Sequence, residues 1–142
     1  MKKIINFTSL FVFMVLLVGC NGEEKGQLSR VDVQKIDTEG NYENLVMITD
    51  SESIELLRQA FAQIKWDDKV VKMASEPDVE ATLFYTFDEN IPERLYEYKI
   101  WFNESAGTAT IISNNENESY GELDKDNTQF LKKIFLSNRY FS

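Results

Sequence analysis

Leu95-Tyr96-Glu97-Tyr98-Lys99-Ile100-Trp101-Phe102 is the stretch on which the fold turns. Tyr96, Tyr98, Ile100 and Phe102 fall on one side of an extended chain, and Glu97, Lys99 and Trp101 fall on the other. This is the period-two pattern of a strand with one buried face. The same alternation runs upstream from Asp78 to Phe87, where Leu83, Tyr85 and Phe87 share one side and Thr82, Phe84 and Thr86 the other. Residues 89–93, with Pro92, read as the turn between these two strands. Downstream, Glu104-Ser105-Ala106-Gly107 closes a second turn into the β-branched run Gly107 to Ser113. Strands joined by such short turns pair antiparallel. Asn114 to Glu118 reads as a solvated loop, and Tyr120 to Leu123 as a short edge strand.

Farther upstream, Arg30 to Asp37 alternates and Leu45 to Ile48 is a short apolar run, with Gly40-Asn41 between them. The pair predicts a hairpin. Thr49-Asp50-Ser51 then offers helix caps, and Glu52 three residues after Thr49 suits a capping box. Ile54, Leu57, Phe61 and Ile64 follow at helical spacing, joined by Leu56 and Ala60, which predicts a helix from Ser51 to Lys65. Asp126-Asn127-Thr128 caps a final helix, Gln129 to Leu136, with Leu131, Ile134 and Phe135 inward. The expected order is β-β-α-β-β-β-(β)-α. This is an α+β fold with a mostly antiparallel sheet of about five strands, one long helix packed on it and a short C-terminal helix.

Ahead of this domain stands a different kind of segment. Lys2 and Lys3 precede an apolar run, Phe7 to Val18, broken only by Thr8 and Ser9. A membrane-spanning helix needs ~20 apolar residues, so the run reads as a leader. It ends in Leu17-Val18-Gly19-Cys20, which resembles a bacterial lipobox. That resemblance implies cleavage between Gly19 and Cys20 and acylation of Cys20. The expected organisation is a leader at 1–19, the lipidated cysteine and a polar tether at 20–30, and one domain at 31–142. Each buried CH₂ contributes ~0.8 kcal/mol, so two or three acyl chains hold durably where one does not. An ordinary secretory signal and an uncleaved anchor helix are the alternatives.

Composition excludes several chemistries. The chain has no histidine, and Cys20 is its single cysteine. Zinc sites built from Cys and His are excluded. So are nucleophile systems that need a histidine base, and no disulfide can form within the domain. The net charge is −9, and removal of Lys2 and Lys3 with the leader takes it to −11. Such a body is repelled by nucleic acid and anionic headgroups, so no nucleic acid partner is expected; the alternative reading of the charge is solubility alone.

Three features are candidate sites. Asp124-Lys125-Asp126-Asn127-Thr128 opens like a calcium loop, but the sixth and twelfth positions are Gln129 and Phe135 where an EF-hand needs Gly and Glu. It reads as a helix cap with charge favourable to the helix dipole. Asp67-Asp68, Asp88-Glu89 and Glu116/Glu118 are acidic pairs in predicted loops, with no spacing that couples them as a glycosidase would require. Trp101, beside Glu97 and Lys99, is the candidate ligand-binding surface, because an exposed tryptophan flanked by charge can stack a sugar or anchor a partner; the alternative is that the long helix covers that face and buries Trp101 in the core.

The run Ile48 to Ile54, the Ala60-Phe61 helix, the strand Tyr98 to Phe102, the strand Gly107 to Ile112 and Ser119 to Leu123 together resemble the small YhfM-like lipoproteins of Bacillus and relatives. The resemblance implies a Gram-positive envelope lipoprotein on the extracytoplasmic face of the cell membrane. It implies no catalytic residues. The expected function is therefore a non-enzymatic binding domain, tethered through Cys20, with Trp101, Glu97 and Lys99 facing an envelope protein or wall ligand, and with no metal or cofactor. A carboxylate-dependent hydrolase of wall glycans and a structural envelope protein without a ligand are the alternatives.

Overall fold

The computed structural model describes residues 26–137. Gly19, Cys20 and the leader lie outside the described residues. Seven strands form one antiparallel sheet: β1 (Gln27–Lys35), β2 (Val46–Ile48), β3 (Lys65–Asp67), β4 (Val79–Thr86), β5 (Arg94–Asn103), β6 (Thr108–Ser113) and β7 (Tyr120–Leu123). Two helices, α1 (Ser51–Ala62) and α2 (Lys125–Phe135), complete it. The strand order is β2-β1-β4-β5-β6-β7-β3.

The α+β class and the antiparallel meander match the expectation; the details need correction. The sheet has seven strands rather than about five. The two helices, of 12 and 11 residues, are nearly equal rather than one long and one short. The order gains β3, which starts at Lys65 where the helix was expected to continue; α1 ends at Ala62. β7 is interior, between β6 and β3, rather than an edge. The domain also begins earlier than residue 31. β1 starts at Gln27, and Leu28 is only 3% exposed, paired opposite Tyr85. Residues 27–30, expected in the tether, are therefore strand, because burying Leu28 outweighs the polar character of its neighbours.

Both helices cover one face. Val31, Val33, Val79, Ala81, Leu83, Tyr98, Ile100, Phe102, Ala109, Ile111 and Leu123 point to it from the sheet. Leu57, Ala60 and Phe61 of α1 and Leu131, Ile134 and Phe135 of α2 meet them. The inward set expected for α2 is the observed one. Each helix starts at an aspartate that accepts from the backbone N–H three residues on. Asp50 takes Ser53 N at 3.0 Å, and Asp124 takes Asn127 N at 2.9 Å. The calcium-like loop is therefore a cap, placed two residues earlier than Asp126.

Gly121 fixes the far edge of the sheet. A Cβ there would clash with Ile64 Cγ2 and lie 2.7 Å from the Trp66 ring. Only glycine lets the Trp66 ring of β3 approach β7 this closely.

Candidate functional site

β6 and β7 are joined by residues 114–119, a loop shaped by both side-chain and backbone hydrogen bonds. Ser113 Oγ accepts from Asn115 N at 3.0 Å, and Asn115 O accepts from Glu118 N at 3.0 Å and Ser119 N at 3.2 Å. Asn114 is pinned to β5, its N donating to Glu97 O at 3.1 Å and its Oδ1 accepting from Glu97 N at 3.0 Å. Ser119 takes a left-handed backbone, φ 57°, unusual for a residue with a Cβ. The result turns the half-buried Glu118 back over the sheet.

There its carboxylate meets a row of donors. Oε1 accepts from Tyr98 Oη at 3.0 Å, Asn115 Nδ2 at 2.9 Å and Ser113 Oγ at 3.2 Å. Among the described residues, Oε2 takes only the longer contact from Tyr98, 3.3 Å. One oxygen is thus held in place and the other keeps capacity to accept. Tyr98 is packed between Phe61, at 5.0 Å between ring centroids, and Trp66, at 6.1 Å. Burial first, then the negative charge of Glu118, raise its phenol far above the usual value of 10. It therefore stays protonated and donates. Tyr85, edge-on to Tyr96 at 5.5 Å, is pushed up to about 12 by burial and then by Glu118.

Glu118 opens onto a cleft of ≈ 330 Å³ lined by Trp66, Asp67, Asp68, Glu116, Asn117 and Ser119. The structure thus brings two acidic pairs together, Asp67-Asp68 and Glu116/Glu118, that sequence spacing left apart. Antiparallel pairing of Asp67 with Tyr120 does this, because it sets the end of β3 beside the start of β7. Asp88-Glu89 is not among the lining residues. Among the described residues, no three acids come together as a metal site. A second cleft, between the start of β1 and α1, is lined by Leu28, Ile54, Glu55 and Arg58. Its Arg58 is engaged with Glu55.

Trp101 requires a correction. It lies, as alternation requires, on the face opposite the helices, with Glu97 and Lys99 exposed beside it. It is nevertheless 7% exposed, and its Nε1 donates to Ser75 O at 3.0 Å. The connection between β3 and β4 covers it, so it is not an open binding surface. The residues that sequence reading passed over are Tyr98, Ser113 and Asn115. The signal was an inward tyrosine followed, one hairpin later, by the Asn-rich acidic loop.

This geometry defines an α+β domain with an oriented carboxylate in an acidic cleft. A solved thioesterase-like protein from Clostridium sporogenes ATCC 15579 shares the fold, with a TM-score of 0.52 and 23% identity over 80% of this chain and 98% of that one. No family model and no curated protein matches the chain. The likeness corrects the expectation of a non-enzymatic domain, because a protein described as thioesterase-like is built on this architecture.

Proposed function

We propose that the chain is a carboxylate-dependent hydrolase in which Glu118 is the general base. The observation that carries this is the asymmetric carboxylate of a cleft-lining glutamate: Oε1 is fixed by three donors, while among the described residues Oε2 accepts only the longer contact from Tyr98. A base must be held in hydrogen-bond reach of the proton it removes, and Tyr98, Ser113 and Asn115 supply that orientation. Glu118 Oε2 takes a proton from a water as that water attacks an acyl carbon, and returns it to the departing group. The absence of histidine leaves a carboxylate as the natural candidate for this role.

An ester or thioester acyl bond is the favoured substrate, supported by the thioesterase-like neighbour. A wall glycan is the second reading, supported by the presence of Asp67, Asp68 and Glu116 with Glu118 in the lining of one cleft. The lipobox supports a location on the outer face of the cell membrane, with Cys20 as the anchor. The test is turnover by the full chain of chromogenic thioesters, esters and glycosides in parallel. Turnover of thioesters or esters supports the first reading, turnover of glycosides alone supports the second, and none at all rejects the hydrolase.

A further inference from the structure

β3 is an edge strand, and β4 lies four positions away, past β7, β6 and β5. The chain between them, residues 68–78, must cross the sheet. The helices occupy one face, so it crosses the other. Lys69 Nζ sits 4.5 Å from the Tyr120 ring centroid on β7, and Ser75 O receives the Trp101 indole of β5. Asp78 then locks the end, its N donating to Ile100 O at 2.9 Å and its Oδ2 accepting from Phe102 N at 2.7 Å.

Between these ends the strap is weakly held. Val71 and Met73 are half-buried and Pro77 is buried, whereas Val70, Lys72, Ala74 and Glu76 are exposed. Among the described residues, no backbone–backbone hydrogen bond holds residues 70–77. The Trp101–Ser75 bond is the polar latch at mid-span. Segments with few buried contacts and few backbone bonds open at low free energy, ahead of the sheet beneath them. The strap's root, Asp68, is also a wall of the Glu118 cleft.

We propose that residues 69–77 form a hinged cover, latched by the Trp101 indole, whose release bares Trp101 and widens the cleft at its Asp68 wall. The cover itself stands on the packing of the strap, and its gating of catalysis rests on the hydrolase reading.

Solvent exchange of the Trp101 indole N–H in the full chain, followed by NMR, tests the cover directly. It should exchange at least about tenfold faster than the amides of Ile100 and Ile111, because the strap opens while the sheet stays closed. Exchange at the rate of those amides overturns the cover. The gate is tested by Trp101→Phe, which keeps a ring and deletes the donor. It should raise turnover of a bulky thioester relative to a small one, and an unchanged ratio overturns the gate. If no substrate is turned over, the hydrolase reading fails, while the indole measurement still decides the cover.

Discussion

The Tyr98 hydroxyl lies 3.0 Å from one carboxylate oxygen of Glu118 and 3.3 Å from the other, across 20 residues of sequence. This contact, with the two Asn114–Glu97 hydrogen bonds, joins a strand on the core to a loop at the rim. Tyr98→Phe keeps the ring between Phe61 and Trp66 and removes the donor. Hydrogen bonds to charged groups contribute about 1.5–3 kcal/mol, so urea unfolding should show a loss of roughly that size. Unchanged stability would mean that Glu118 is not held by Tyr98.

Alkaline pH should act through the same row. Burial pushes the Tyr85 phenol up to about 12 in the folded state, and Tyr98 is shifted further the same way, against 10 unfolded. Both raised groups bind a proton more tightly in the native protein. Their stabilisation is full below pH 10 and is lost as the pH rises toward 12. Tyrosinate absorbance should therefore show part of the chain's tyrosine titrating late, together with unfolding. A single smooth titration near pH 10 in folded protein would contradict this.

Gly121→Ala places a methyl group against Ile64 and the Trp66 ring. Overpacking of this kind costs about 1–3 kcal/mol. Thermal unfolding should show that loss, and Trp66 fluorescence should shift as β3 moves off β7. An Ala variant as stable as the parent, with unchanged fluorescence, would mean that the close approach is not needed.

The proposed anchor predicts that Cys20→Ala leaves the membrane fraction. The mass of the mature wild-type chain should carry acyl chains on Cys20. A bare thiol there, or a C20A chain that still sediments with vesicles, would remove the anchor.

The meander was legible because β4, β5 and β6 carry strict alternation and are joined by short turns, so Tyr98 and Trp101 were assigned to opposite faces. β3 was not legible. Lys65-Trp66-Asp67 is three residues long, follows directly on the apolar helix spacing that includes Ile64, and pairs with Tyr120–Glu122 some 55 residues away. The misreading of Trp101 and of the acidic pairs follows from that strand. Its edge position sends residues 68–78 across Trp101, and its end brings Asp67 and Asp68 to Glu118. Local pattern fixed the face of Trp101 but not what lies over it. The acidic loop was visible as a loop, yet its donor Tyr98 belongs to another strand, and spacing alone does not join them.

The most direct test of the account compares Glu118→Gln with Glu116→Gln on the best acyl substrate. General base catalysis contributes roughly 10²–10⁴-fold. The account predicts that E118Q loses kcat on that scale with little change in KM, while E116Q, exposed on the same loop, keeps most of the rate. An E118Q enzyme as fast as the parent would contradict it.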